Sequence, residues 1–227
     1  MAAWAERWDA EAILLEVDGV LLDTAAGTRA AWRWWAGHLG LDAEVVAAAT
    51  WGVPERAAVQ QLQPGRDLDA DLAAIRERRW LLLRTARRVR GAVSMVRSLP
   101  PSRWAIATSS TAEQLDARLR RLRLEPPAVV VTADDLAPGR PSPAAHLAAA
   151  ARLAVDPGAC LAFESSPAGI AAARAAGAVT VAIGPRGLHP ALAGADAVRS
   201  DLGGVQVRPL AGGRVEVRAL REPRILA

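Results

Sequence analysis

Short apolar runs that resemble buried strands alternate along this chain with segments of helical periodicity, and this alternation limits the fold more than any other feature. The first run, Ala12–Val17, stops directly before Asp18 and Gly19. Strands that alternate with helices of about ten to fifteen residues are typical of a parallel sheet covered on both faces. The sequence therefore predicts a doubly wound α/β core. Further strands are predicted at 104–108, 128–132, 160–163 and 179–183, and helices at 111–122, 143–153 and 167–176.

The interval 21–89 shows helical periodicity and predicts no strand. It holds five of the eight tryptophans, which indicates a small apolar core of its own. We expect an inserted helical cap domain at 21–89, standing over the carboxyl ends of the strands, where open α/β sheets bind ligands. The core domain is then 1–20 together with 90–227, and alternation on both sides of Ala211 to Gly213 predicts a hairpin at about 204–220.

Apolar runs are all interrupted well before the ~18 residues that a membrane span requires. The first residues, MAAWAERWDAEA, lack the basic start and the apolar stretch of a secretory signal. These features predict a cytoplasmic protein without a membrane partner. Cys160, the single cysteine, lies inside an apolar run and is expected to be a buried thiol.

The basic residues are all arginine, 28 against 24 acidic residues, and they are spread along most of the chain. A net charge of +4 distributed in this way does not favour nucleic-acid binding. Residues 75–90 are denser, with seven arginines and one glutamate, and their apolar residues are spaced as in a helix. This segment predicts either a solvated helix face or a docking surface for an acidic protein partner.

Polar residues that suit phosphoryl transfer lie at the ends of the predicted strands. Transfer through a covalent intermediate needs a carboxylate nucleophile, a proton donor, positive charge around the phosphoryl oxygens and a metal ion. Glu16 and Asp18 lie two residues apart at the end of the first strand, so both face the same rim. The other candidates follow in chain order: Thr108, Arg140 and Glu164-Ser165.

Four segments carry a resemblance to a known family: LLEVDGVLLDT, WAIATSS, VTADDLAPGRPSP and FESSPAGIAAARAAG. In this order they resemble the four motifs of the haloacid dehalogenase-like (HAD) superfamily, and the last two are especially similar to sugar and polyol phosphatases of the β-phosphoglucomutase-like group. The resemblance runs from about Ala12 to Asp201. It implies a Rossmann-like core with a helical cap and hydrolysis of a small sugar or polyol phosphate.

The resemblance also implies roles for individual residues. Glu16 stands where the family has its aspartate nucleophile, and Asp18 matches the aspartate that acts as general acid and then general base. Thr108 and Ser109 match the segment that binds the phosphoryl group. Arg140 stands where the family has a lysine, which in a chain without lysine is compatible with activity.

The implied cofactor is Mg²⁺, held by Glu16, the backbone carbonyl of Asp18 and Glu164, with Ser165 contributing through a water. Ser165 replaces a carboxylate ligand, and a neutral hydroxyl is a poorer ligand for Mg²⁺, so we expect weak binding. Glu16 is longer than aspartate by one methylene, which moves its oxygens by roughly 1 Å and can cost ~10²-fold in rate.

The cap segment that begins with Trp51 and Gly52 is a candidate substrate contact, although it lacks the polar His-Gly-Arg-like pattern of related phosphatases. The histidines at 38, 146 and 189 are separated from one another in the sequence and are expected to be structural. Two hypotheses follow. The chain is a phosphatase with altered motifs, or it is a degenerate relative that binds a phosphorylated ligand or a protein partner without turnover.

Overall fold

The structure is a computed structural model that describes residues 4–50, 55–136, 141–185 and 189–220. The chain divides into two units, Met1–Leu22 with Arg88–Ala227, and Asp23–Arg87. In chain order the strands are β1 Trp4–Ala10, β2 Ala12–Leu15, β3 Leu22–Asp23, β4 Arg87–Arg88, β5 Trp104–Ala107, β6 Val129–Val131, β7 Cys160–Glu164, β8 Val179–Ile183, β9 Ala197–Arg199, β10 Val205–Pro209 and β11 Val215–Leu220. The helices are α1 Ala25–His38, α2 Ala43–Thr50, α3 Glu55–Leu62, α4 Leu68–Leu82, α5 Ala92–Ser98, α6 Ala112–Leu122, α7 Ala144–Arg152, α8 Pro167–Ala175 and α9 His189–Leu192.

A six-stranded parallel sheet with the order β6-β5-β2-β7-β8-β9 organises the larger unit. The chain starts this sheet at β2, adds β5 and β6 on one side, and then adds β7, β8 and β9 on the other. Leu15, at the end of β2, lies opposite Ile106 on one side and Phe163 on the other. This confirms the predicted doubly wound α/β core, and it places the carboxyl ends of β5, β2 and β7 next to one another.

The central strands are continuous apolar runs because helices cover the sheet. All residues of β2 and β5 are buried. Helix α7 packs against β2, β5 and β6, and α8 packs against β7 and β8. Cys160, at the start of β7, is buried as expected, and burial raises the pKa of its thiol to about 11.

A second, antiparallel sheet in the same unit has the order β1-β11-β10. Strand β1 was not predicted, because WAERWDA mixes charged and aromatic residues without a clean alternation. Strands β10 and β11 form a hairpin, with Val207 opposite Val217. Glu216 of β11 is buried on this sheet and is surrounded by ion pairs with Arg7, Arg208 and Arg218.

The smaller unit is helical, with α1 packed against α2 and α4. Trp32 and Trp35 of α1 are buried and contact each other edge to face. The prediction that the tryptophans of this interval form its core is wrong for Trp34 and Trp80, which are more than one-third exposed.

The predicted helix at 75–90 ends at Leu82, where a 3₁₀ turn over Leu83–Thr85 begins. Ala86, the next residue, is buried but has an extended backbone. Its apolar side chain fitted the helical spacing of the sequence, although the residue is not helical. Helical spacing in a short apolar segment does not by itself distinguish a helix from a buried turn. The prediction of no strand in the interval 21–89 was also wrong, since β3 and β4 are each two residues long and leave no alternation to detect.

Among the described residues, no helix is both long enough and apolar enough to cross a membrane.

Candidate active site

Three neighbouring strands bring polar side chains to one edge of the parallel sheet. Glu16 directly follows β2, Thr108 directly follows β5, and Glu164 ends β7. The backbone ladder continues to these positions, since Glu16 N donates to Phe163 O at 3.1 Å and Thr108 N donates to Val131 O at 3.0 Å. The positions of these residues are therefore set by the sheet itself.

The carboxylate of Glu16 is buried and is held by donors from its own turn and from the segment after β5. Its Oε1 accepts hydrogen bonds from Thr108 Oγ1 at 2.5 Å and from Val17 N at 2.7 Å. Its Oε2 lies 3.5 Å from Ser109 N. A buried carboxylate needs such donors to offset its lost hydration. The structure thus brings together Glu16, Thr108 and Ser109, which the sequence placed 92 and 93 residues apart.

Asp18 makes a bidentate ion pair with Arg118, a residue that the sequence analysis did not single out. Arg118 Nε donates to Asp18 Oδ1 at 2.6 Å, and Arg118 Nη2 donates to Asp18 Oδ2 at 2.8 Å. The third guanidinium nitrogen, Nη1, donates to the backbone carbonyl of Gln114 at 2.9 Å. The Arg118 side chain is only 7% exposed, so this charge is largely removed from solvent.

Arg118 had a detectable signal in the sequence. It lies on α6 three residues after Leu115 and four before Leu122, on the stripe that faces the core. A charged residue at such a position is rarely buried unless it is paired. Because arginines are spread along most of the chain, their number alone gave no reason to single this one out.

Ser165 contacts the turn that follows Glu16. Its Oγ donates to the backbone carbonyl of Asp18 at 2.7 Å. The turn needs glycine at position 19, because φ is +80° there and a Cβ atom would lie 2.5 Å from Ser165 Oγ. Ser165 and Gly19 therefore fit each other closely.

Glu164 is fully buried, and its Oε1 lies 2.9 Å from Nε2 of His146. His146 lies on α7, which packs across the sheet, and it is also buried. His146, which was expected to be structural, therefore contacts a candidate site residue. A contact between residues 18 positions apart depends on how a helix packs, which local sequence patterns do not show.

This arrangement can be compared with known proteins. The model of the haloacid dehalogenase-like hydrolase family matches residues 10–177. The chain belongs to this family. It is 30% identical over 211 residues to hexitol phosphatase A of Escherichia coli strain K12, covering 90% of this chain and 97% of that protein.

Two further proteins are similar to most of the chain. Fructose-1-phosphate phosphatase of E. coli strain K12 is 34% identical over 177 residues, which cover 73% of this chain and 92% of the relative. The crystal structure of a putative β-phosphoglucomutase from Thermotoga maritima has a TM-score of 0.59 at 28% identity, covering 83% of this chain and 93% of that one. The resemblance stated from the four motifs is confirmed, as is the prediction of a hydrolase of the HAD type.

The described residues offer Mg²⁺ fewer anionic ligands than the set that the resemblance implies. Within the described ranges, no group of three or more His, Cys, Asp or Glu side chains is placed to hold a metal ion. Glu164 faces His146, and the Asp18 carbonyl already accepts a hydrogen bond from Ser165. A hydroxyl in place of a carboxylate also lowers the charge available to a hard cation.

Arg140, Trp51 and Gly52 lie outside the described residues. Their roles in binding phosphate and substrate remain predictions from the sequence.

Proposed function

We propose that this HAD-like protein hydrolyses the phosphate monoester of a small sugar or polyol, with Glu16 as nucleophile and Asp18 as acid and base. The observation that carries the proposal is the placement of Glu16 against Thr108 Oγ1 and near Ser109 N, at the carboxyl ends of adjacent parallel strands. The relatives that are named for their action on hexitol phosphates and on fructose 1-phosphate support the substrate class.

In the first step, a Glu16 oxygen attacks phosphorus and forms an acyl phosphate while the bond from phosphorus to the ester oxygen breaks. Asp18, in its protonated form, gives its proton to the leaving alkoxide. In the second step, Asp18 accepts a proton from water, which attacks the acyl phosphate and releases inorganic phosphate and the Glu16 carboxylate. The two steps together consume one water and restore both carboxyl groups.

Binding of the phosphoryl group is assigned in this proposal to Thr108, Ser109 and Arg140. The Thr108 hydroxyl and the Ser109 amide already point at the Glu16 carboxylate, the atoms next to which the phosphoryl group must lie for attack. Arg140 would offset the charge of the phosphoryl oxygens. Trp51 and Gly52 are proposed to contact the sugar or polyol.

Mg²⁺ is expected to bind weakly, because the described carboxylates have protein partners and Ser165 is neutral. Glu16, the Asp18 carbonyl and Glu164 are the proposed contacts, and the two steps above use only residues of the chain. We also propose that the protein is cytoplasmic. The arginine-rich segment 75–90 is a candidate docking surface for a protein partner.

Binding without turnover is the second candidate function. Asp18, Glu164 and Ser165 each bond to another protein group: Arg118, His146 and the Asp18 carbonyl, respectively. A site that is internally bonded in this way can hold a phosphorylated ligand without completing the chemistry.

A phosphatase assay with a panel of hexitol and ketose phosphates and added Mg²⁺ separates the two functions. We expect release of inorganic phosphate from at least one substrate, and loss of that activity in Asp18→Asn. Calorimetric binding of the same compounds without any phosphate release would instead establish the binding function.

A further inference from the structure

The Asp18–Arg118 ion pair joins a residue of the reacting centre to a helix for which the proposed reaction has no role so far. We propose that Arg118 is a positioning residue for Asp18, and that its charge lets a phosphorylated ligand approach this edge of the sheet. The inference rests on the proposed function, because Asp18 is its acid and base.

Charge is the first reason. Glu16, Asp18 and Glu164 all lie at the carboxyl ends of neighbouring strands, and a phosphate monoester carries up to two negative charges of its own. Like charges within a few ångströms repel strongly where solvent is partly excluded. Arg118 places a permanent positive charge within 2.8 Å of both Asp18 oxygens, so it cancels one of the three carboxylates.

Geometry is the second reason. A carboxylate has about four lone-pair sites, and a two-pronged arginine contact uses one site on each oxygen while it fixes the carboxylate plane. Arg118 is itself fixed, because its third nitrogen donates to Gln114 O.

Helix α6 connects this pair to the phosphate-binding segment. The helix begins with a capping box in which Thr111 and Gln114 bond each other's backbone, only three residues after Thr108. The same short stretch of chain therefore orients both Thr108 and, through Arg118, Asp18.

A matched control lies on the same helix. Arg120 pairs with Asp116 at 2.6 Å, but both side chains are more than half exposed. Exposed pairs of this kind contribute little, so Arg120→Gln removes an arginine from α6 without touching the site.

The first test measures binding of inorganic phosphate by calorimetry, which needs no turnover. Arg118→Gln should weaken phosphate binding by about tenfold or more, because the charge of Asp18 then loses the arginine that offsets it. The double variant Asp18→Asn/Arg118→Gln should recover wild-type affinity to within about threefold, and Arg120→Gln should not change it. Wild-type affinity in Arg118→Gln, no recovery in the double variant, or no phosphate binding by the wild type would overturn the proposal.

The second test separates charge from geometry by means of Arg118→Lys, with folding of every variant checked by circular dichroism. Lysine keeps the positive charge but cannot make the bidentate contact with the Asp18 carboxylate. Phosphate affinity and KM should therefore stay within about threefold of wild type, while kcat falls about tenfold or more. An unchanged kcat would overturn the positioning role. If the wild type turns over no substrate, the proposed function and the positioning role fail together, while the phosphate titration still decides the role of the charge.

Discussion

Glu16 and Ser165 are the residues that the motif resemblance predicts to depart from the family pattern, and the structure gives both of them hydrogen-bond partners of their own. Glu16 reaches Thr108 Oγ1 with the longer side chain, and Ser165 bonds the Asp18 carbonyl that a metal ion would need. The two changes therefore affect one centre. Residues that act as a unit give non-additive kinetic effects when they are altered.

We expect the double variant Glu16→Asp/Ser165→Asp to raise kcat/KM by more than the product of the two single changes. The first substitution restores the reach of the nucleophile, and the second supplies an anionic ligand and releases the Asp18 carbonyl. The measurement is kcat/KM for all four proteins on the best substrate, together with Mg²⁺ affinity by calorimetry, which should rise in both proteins that carry the Ser165→Asp substitution.

Adding Asp18→Asn to the double variant should abolish the gain. Lower activity in both single variants of a highly active wild type would show instead that Glu16 and Ser165 belong to a working variant site.

Helix α6 begins shortly after Thr108 and carries Arg118, so the contact with Asp18 depends on it. Its start is stabilised by the Thr111 and Gln114 capping box. Helix α4, in the smaller unit, has a comparable cap, in which Asp67 accepts from Ala70 N. The two caps allow a comparison between helices with and without a site residue.

We expect Thr111→Ala and Asp67→Ala each to lower stability by about 1 kcal/mol, the usual effect of losing an N-cap. Urea denaturation measures this loss. Only Thr111→Ala should also weaken inorganic phosphate binding, because it loosens the helix that holds Arg118. Equal effects of both variants on phosphate binding would show that α6 does not control the site.

The elements that could be predicted from the sequence are those whose burial produces a continuous apolar run of neighbouring residues. Strands β2 and β5 are apolar throughout because both faces are covered, and Glu16 and Thr108 directly follow their ends. The pairs Asp18–Arg118 and Glu164–His146 join distant parts of the chain through helix packing. Such contacts follow from tertiary packing, so motif spacing alone did not predict them.

At the scale of the whole molecule, both units depend on carboxylates whose pKa values are lowered by their partners. A backbone hydrogen bond from Thr132, followed by contacts with Arg152 and the Thr132 hydroxyl, lowers the pKa of Asp135 to about 2. Hydrogen bonds from Arg218 and Arg66 hold the pKa values of Glu216 and Asp71 below their usual range. Asp71 belongs to the smaller unit and the other two to the larger.

We therefore expect stability to fall as the pH drops from about 4 to about 2. A carboxyl with a lowered pKa in the folded state stabilises the fold above its unfolded pKa of about 3.9, and this contribution is lost as the pH falls through the folded value. Thermal unfolding followed between pH 2 and pH 6 measures the slope. Asp135→Asn should reduce it, and an unchanged slope in that variant would contradict the role given to Asp135.

Strand β1 pairs with β11 through contacts such as Trp8 with Val217. A ribosome adds about 5–20 residues per second, so β1 is synthesised roughly 10–40 s before its partner. During that time the tryptophans and backbone groups of β1 lack the strand with which they pair in the folded protein. Nascent chains of this protein should accordingly be targets for chaperones until the last hairpin is released, and premature stop codons before β11 should leave an exposed, aggregation-prone edge.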